Sequence, residues 1–102
     1  MTDKKIIKVL IEEELAEANK NYPLFSSPHE AYGVIKEELE EVHEELVACK
    51  GLLDDIWHRI RNDWGTEELL KMTEAHAIYT IQEAIQVAAM CRKALNSNIQ
   101  PK

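Results

Sequence analysis

The residues of this sequence that could do chemistry are carboxylates, and they are concentrated in one short stretch. Residues 36–45 read KEELEEVHEE and hold six glutamates. Carboxylate oxygens are the ligands that Mg²⁺ and Mn²⁺ prefer, and a metal ion held by carboxylates can activate water for hydrolysis. A glutamate-rich stretch of helix is, however, more often a solvated face. The first question is therefore which of these glutamates face the interior of the fold.

Helical phase divides these glutamates into two groups. At about 100° per residue, one apolar stripe of this segment is centred on Ile35, Leu39, Val42, Leu46 and Cys49. Glu40 and Glu44 point away from this stripe. Glu38, Glu41 and Glu45 share one of its borders, where they can face a groove between helices. Three carboxylates at this spacing repel one another unless a cation or water relieves the repulsion.

A further carboxylate, Glu83, stands alone in an apolar segment. It is the only formally charged residue between Ala75 and Cys91 when His76 is taken as neutral. A helix that is apolar on all faces is predicted to be buried, and a lone buried carboxylate is costly unless it is neutralised or paired. Three interpretations stay open: a protonated or hydrogen-bonded core glutamate, a glutamate that reaches solvent at the edge of the bundle, and a metal ligand. Gln86 lies on the same face one turn later.

The elements that position these residues are predicted to be three helices within one domain, residues 1–102. The first spans 4–20, with Thr2 or Asp3 as its cap. The second spans 28–63, where Gly51 is either a C-cap that splits the helix or a tolerated interior glycine of a kinked or continuous helix; the pattern favours the latter. Its start carries a capping box, in which Ser27 is followed by Pro28 and Glu30. The last helix spans 67–96. The predicted fold is an all-α helical bundle built on a long antiparallel hairpin, with the first helix packed alongside.

The register of this hairpin decides which glutamates meet. If the turn is centred on Trp64 and Gly65, residues whose numbers sum to about 129 lie at one level. Glu83 then faces Glu45 most closely, and Glu41 lies about one turn away. Four carboxylates between two helices would form an oxygen site for Mg²⁺ or Mn²⁺. No histidine or cysteine spacing suggests zinc.

Composition limits the classes of function. The chain has 102 residues, a mass of 11.7 kDa and a formal charge of -7, which argues against a nucleic-acid polymer or an anionic membrane as partner. No segment resembles a membrane span or a signal peptide. The two cysteines, Cys49 and Cys91, are isolated and are expected to be reduced thiols in a cytoplasmic protein. The short chain, its apolar last helix and the tryptophans Trp57 and Trp64 predict an oligomer.

The two acidic blocks resemble a known superfamily. Glu37-Glu38-x-x-Glu41 resembles the first motif of the all-α nucleotide pyrophosphohydrolases, which include MazG and the dimeric dUTPases and carry a second motif, Glu-x-x-Asp, on a later helix. Residues 29–41, HEAYGVIKEELEE, and residues 83–90, EAIQVAAM, resemble the small MazG-like proteins of phages and prophages of Gram-positive bacteria. The resemblance covers about residues 20–96.

This resemblance implies hydrolysis of a nucleoside triphosphate to the monophosphate and pyrophosphate, with Mg²⁺ held by the acidic motifs. It implies a homodimer or homotetramer with sites near the subunit contacts. Carried over by position, Glu38 and Glu41 match the first pair of metal ligands, and Glu83 matches the first residue of the second motif. Glu37 matches the extra glutamate that orients or deprotonates water. Near the end of the last helix, Arg92 and Lys93 are weaker candidates for contact with phosphates.

The sequence departs from the family pattern at two points. Gln86 stands where the family has a metal-binding aspartate, and the spacing from Glu41 to Glu83 is longer than usual. An amide oxygen can bind Mg²⁺ without supplying charge, so either metal binding is weaker or Glu45 completes the shell. The alternative function is a non-catalytic acidic binding protein that keeps the MazG-like fold.

Overall fold

Three α-helices make up the fold of this chain. The computed structural model describes residues 3–21, 24–99 and 101, and within these ranges it contains no strand. Helix α1 spans Lys4–Ala18, α2 spans Pro28–Arg61 and α3 spans Glu67–Asn96. The predicted all-α class is confirmed. None of the three helices combines the length and the apolar character needed to span a bilayer, as far as the described residues go.

Side-chain caps define where the first two helices begin. The carboxylate of Asp3 accepts a hydrogen bond from the Lys5 amide at 2.8 Å; the alternative cap, Thr2, lies outside the described residues. Ser27 Oγ accepts from the Glu30 amide at 3.1 Å, as the capping box predicts. The Glu30 carboxylate reaches back to the amide of Ser26 rather than to that of Ser27. The second hydrogen bond of the capping box thus comes from the residue before the N-cap and not from the N-cap itself.

Helix α2 runs without a break across Gly51 for 34 residues. Its end is set by Asp63, which adopts the left-handed conformation with φ of 54°. The amide of Asp63 donates to the Ile60 carbonyl and that of Trp64 donates to the Arg59 carbonyl, which is the Schellman arrangement. Glycine normally occupies this position, because a Cβ atom is strained there.

This turn changes the register of the hairpin. Arg59 Nη1 donates to the Gly65 carbonyl at 3.2 Å, so the chain has already returned past the last turn of α2 before α3 begins. Side chains that touch across the hairpin have numbers that sum to 121 for Glu45 and His76 and to 122 for Cys49 and Thr73. The predicted sum of about 129 was wrong, because it placed the start of α3 level with the end of α2, whereas the observed sum places it about two turns back along α2.

The core lies at the end of the molecule far from this turn. It is formed by residues of the loop before α2, of α2 and of α3, namely Phe25, Ala31, Ala89, Met90 and Ala94. Helix α1 covers it by packing against α3. Of the apolar residues in the loop before α2, Phe25 is buried and its amide donates to Ser97 Oγ at 2.8 Å, while Leu24 is exposed. Tyr22 lies outside the described residues.

The middle of α3 is not buried on all sides, in contrast to the expectation from its composition. Ile78, Tyr79 and Ile81 are each at least half exposed. One chain supplies only α2 on one side of α3 and α1 on another, and these two helices cannot cover its whole circumference. The apolar character of this segment therefore exceeds what the single chain buries.

The continuity of α2 can be tested at Gly51. A Cβ atom built on Gly51 meets nothing within 4 Å, and its φ is not positive. We expect Gly51→Ala to raise the free energy of unfolding by about 0.5–1 kcal/mol, because alanine loses less backbone entropy on folding than glycine. Urea denaturation followed by circular dichroism measures this change. The reverse substitution Ala77→Gly on exposed α3 is the control and should destabilise by a similar amount; a destabilised Gly51→Ala would indicate a break in the helix.

Candidate metal centre

Three carboxylates from two helices converge between α2 and α3. Glu38 and Glu41 are one helical turn apart on α2, and Glu83 faces them from α3. One oxygen from each of the three lies within 4.8 Å of the other two, a separation small enough for a single cation to bind all three. The hairpin register brings them together, since Glu38 and Glu83 also have numbers that sum to 121. Three of the predicted metal ligands thus form one cluster.

Gln86 completes the polar set from the next turn of α3. When its amide is oriented with the nitrogen towards the carboxylates, it donates to Glu38 Oε2 at 2.7 Å and to Glu83 Oε2 at 3.2 Å. The opposite orientation presents the amide oxygen to the same two groups. The position is therefore suited to two states: a donor to the carboxylates alone, and a neutral oxygen ligand beside a cation.

Burial and crowding act on the carboxyl of Glu38. Partial removal from water raises its pKa, and the negative charges of Glu41, Glu37 and Glu14 raise it further. A hydrogen bond with Glu83 acts in the opposite direction and is outweighed. The contribution of Glu14 shows that the first helix also brings negative charge to the cluster.

Glu83 also acts on the carboxyl of Glu41. The hydrogen bond to Glu83 and the negative charge of that group raise the pKa of Glu41. When Glu41 is protonated, its carboxyl donates a hydrogen bond to Glu83, and only one of the two adjacent groups carries a negative charge. A divalent cation would relieve the same repulsion by neutralising the charges instead. The cluster is thus set up to exchange protons for a cation.

Glu45, the predicted fourth carboxylate, is engaged elsewhere. Its Oε2 lies 2.6 Å from Nδ1 of His76 on α3, and both side chains are about one-third exposed. This pair lies one heptad closer to the turn than Glu38 and Glu83. The shifted register explains why Glu45 meets His76 rather than Glu83. Glu45 is accordingly not among the carboxylates that the structure groups with Glu83.

The remaining predicted site residues lie around the cluster or away from it. Glu37 is exposed beside Glu38, close enough for its charge to act on that carboxyl. Lys93 is buried, and its ammonium stacks 4.7 Å from the ring centre of Phe25. Arg92 borders a groove between α1 and α3. Both basic residues follow Glu83 by nine or more positions, about 13 Å along the helix, so neither adjoins the cluster.

Sequence reasoning missed two residues, Glu14 and His76. Glu14 stands among the glutamates of α1, yet it is half-buried and acts electrostatically on Glu38. The next residue, Leu15, packs on the core. The position of Glu14 at the border of the apolar stripe of α1 could therefore have indicated that Glu14 is partly buried. His76 precedes Glu83 by seven residues, as Glu38 precedes Glu45. That matched spacing could have paired Glu45 with His76 in the correct register.

Fold and site together define a helical hairpin protein with a carboxylate cluster between its two long helices. Comparison with protein-family models, with curated proteins and with solved structures finds no match to this chain. The function is therefore inferred from the residues and their geometry, together with the likeness of the two acidic motifs.

The raised pKa of Glu38 predicts a pH-dependent stability. A carboxyl whose pKa is higher in the folded state stabilises the fold fully below its ordinary value of 4.5 and loses this contribution as the pH rises through the folded value. Without divalent cations, we expect the parent to lose unfolding free energy relative to Glu38→Gln as the pH rises from 4.5 to neutrality. Urea denaturation at several pH values in EDTA measures this difference. Glu44→Gln, an exposed glutamate outside the cluster, should show no comparable trend; a trend of equal size there would refute the assignment.

The cluster also predicts stabilisation by a divalent cation. Mg²⁺ or Mn²⁺ at 100 times its dissociation constant should stabilise the fold by about 2.7 kcal/mol, if the unfolded chain does not bind the ion. We expect a rise of several degrees in Tm for the parent and none for the triple variant Glu38→Gln, Glu41→Gln, Glu83→Gln.

A triple variant of matched charge separates the site from general acidity. Glu37, Glu40 and Glu44 lie on the same helix and are exposed. Their replacement by glutamine removes the same number of charges and should preserve most of the shift in Tm. Equal shifts in the parent and in the cluster variant would place cation binding elsewhere on the chain.

Proposed function

We propose that this protein is a Mg²⁺-dependent nucleoside triphosphate pyrophosphohydrolase, which forms a nucleoside monophosphate and pyrophosphate. The observation that carries this proposal is the convergence of Glu38, Glu41 and Glu83 from two helices, with Gln86 beside them. These are the residues that the MazG-like resemblance assigns to the metal. The proposal includes a cytoplasmic location and a homodimer or homotetramer of this chain.

The donor set fits a hard divalent cation. The cluster offers only carboxylate and amide oxygens, without a thiolate or an imidazole in its ligand group. Such a set suits Mg²⁺ or Mn²⁺ rather than zinc. Glu38, Glu41 and Glu83 would hold the ion, with the Gln86 amide oxygen as a neutral fourth donor. Bound there, Mg²⁺ would neutralise charge on the phosphate chain and lower the pKa of a bound water.

The chain's own residues supply the other steps. Glu37 is exposed next to Glu38 and is the candidate to accept the proton of the attacking water. Because the pKa of Glu41 is raised, protonation of this carboxyl competes with cation binding, so cation binding should strengthen as the pH rises. Since Arg92 and Lys93 stand about two and a half turns beyond Glu83, the triphosphate would depend chiefly on the cation for charge neutralisation.

Gln86 supports the alternative, a non-catalytic binding protein. Its amide nitrogen can donate to both Glu38 and Glu83 and so close the cluster without any ion. An aspartate at this position would add a fourth negative charge and make a cation necessary for stability. The amide therefore permits a folded, metal-free state that retains the fold without catalysis.

Pyrophosphate release tests the two functions directly. A panel of canonical and modified nucleoside triphosphates is incubated with the parent in the presence of Mg²⁺ or Mn²⁺, and pyrophosphate is measured. We expect activity that falls by at least about 100-fold in Glu83→Gln, because a charged ligand is removed from the site of charge development. Glu44→Gln is the matched control and should retain activity.

The variant Gln86→Asp distinguishes a weakened enzyme from a binding protein. In an enzyme, the added carboxylate should tighten Mg²⁺ binding and raise pyrophosphate release from at least one nucleotide. In a binding protein, it should lower stability by a few kcal/mol, because it places a charge beside Glu38 and Glu83 with nothing to neutralise it. No pyrophosphate from either parent or variant, together with that loss of stability, would reject the enzymatic proposal.

A further inference from the structure

One face of α2 carries an uncovered stripe of large apolar side chains at heptad spacing. These residues are seven positions apart over the length of the helix and at least 46% exposed: Tyr32, Leu39, Leu46, Leu53 and Ile60. They are named here the α2 stripe. Large apolar residues scattered singly on a surface are ordinary, but a strict seven-residue repeat over four heptads is the pattern of a helix that packs against another helix.

The α2 stripe continues the apolar surface that α3 already covers. The residues three positions after its first four members face α3 and are partly or fully buried: Ile35, Val42, Cys49 and Ile56. Together the two rows form the a and d positions of a heptad repeat, of which α3 covers only the d row. Leu46 and Leu53 of the stripe border a groove with Thr73 of α3. A helix placed on the stripe would therefore contact both helices of the hairpin.

The surface area of the chain matches that of a molecule lacking its partner. Its accessible surface is 7964 Å², whereas a compact monomer of 11.7 kDa exposes about 5,900 Å². The radius of gyration is 17.7 Å, against about 13 Å for a compact domain of this length. The excess surface of about 2,000 Å² is more than the roughly 800 Å² per subunit that a stable protein interface buries.

The charges of α2 favour a second copy in antiparallel orientation. Residues 28–44 hold six carboxylates and one lysine, while residues 45–61 hold three carboxylates and three basic residues. A parallel pairing of two α2 helices would align the two acidic halves, and like charges at this density repel. An antiparallel pairing centred on Leu46 places each acidic half beside a half of zero net charge. It also aligns Leu39 with Leu53 and Tyr32 with Ile60 of the second copy.

We propose that the α2 stripe is a self-association surface, on which α2 of a second copy of this chain packs in antiparallel orientation about a two-fold axis through Leu46. The resulting dimer has a four-helix core made of α2 and α3 of both copies. Each stripe is then buried, and the a and d rows are both covered. This surface is argued from exposure, spacing and charge alone, so it stands independently of the proposed enzymatic activity.

Substitution at the centre of the stripe tests the surface. Light scattering of the full chain at micromolar concentration should give twice 11.7 kDa for the parent. Leu46→Glu should halve this mass or abolish the fold, because it places two carboxylates against each other at the two-fold axis. Ile81→Glu is the matched control on α3, since Ile81 is at least as exposed but lies off the stripe, and it should remain dimeric. A monomeric parent, or dissociation by Ile81→Glu alone, would overturn the proposal.

Cross-linking tests the orientation without disturbing the fold. In a background of Cys49→Ala and Cys91→Ala, the variants Leu39→Cys and Leu53→Cys are expressed separately and together, then oxidised. The antiparallel dimer predicts a disulfide-linked dimer in the co-expressed sample that joins one chain of each variant. Leu39→Cys expressed alone should remain uncross-linked. Efficient cross-linking of Leu39→Cys to its own copy, or none in the mixed sample, would overturn the proposed arrangement.

Discussion

The register of α3 against α2 is the constraint on which the rest of this structure depends. It is set by the last turn of α2, where Asp63 adopts the left-handed conformation and Arg59 binds the carbonyl of Gly65. From that point each level of the hairpin follows by helical geometry. A difference of one turn there would separate Glu38 from Glu83 and His76 from Glu45. A local backbone feature at one end of a 60 Å molecule therefore determines which carboxylates meet near its other end.

The cluster is held in place by packing that opposes its electrostatics. Crowding of acidic groups that raises the pKa of Glu38 and of Glu41 does not stabilise a hairpin. Their convergence depends on the apolar contacts of α2 with α3, and on the core of Phe25, Ala89 and Met90 beyond the site. Since this core is small, a dimer that buries the α2 stripe would add apolar contact to both long helices. In that arrangement, self-association and the integrity of the acidic site support each other.

Sequence reasoning predicted the helices and the members of the carboxylate cluster better than it predicted the register of α3 against α2. Periodicity and caps gave the starts of α1 and α2 to the residue, because local interactions determine these starts. The start of α3, where Thr66 makes no side-chain cap hydrogen bond, was also predicted to the residue. Helical phase correctly selected Glu38 and Glu41, and the lone charge of Glu83 marked the facing residue. The register was wrong by about eight residues, since the path of the turn depends on the backbone of Asp63 and on hydrogen bonds that no pattern displays. Glu14 was missed for a related reason, because its role depends on how α1 docks.

Seven residues in each helix separate the Glu38–Glu83 pair from the Glu45–His76 pair. Because of this spacing, the hairpin can in principle be shortened by one such unit in each helix. Seven residues are close to two helical turns, so a segment of that size restores the same face of the helix. Removing residues 46–52 together with residues 69–75 would shorten the arm by one level and keep every remaining pair in phase. Loss of a single residue from one helix alone would instead rotate the acidic face by about 100° relative to its counterpart. Paired deletions of seven residues are thus expected to change the reach of the arm and leave the acidic site intact.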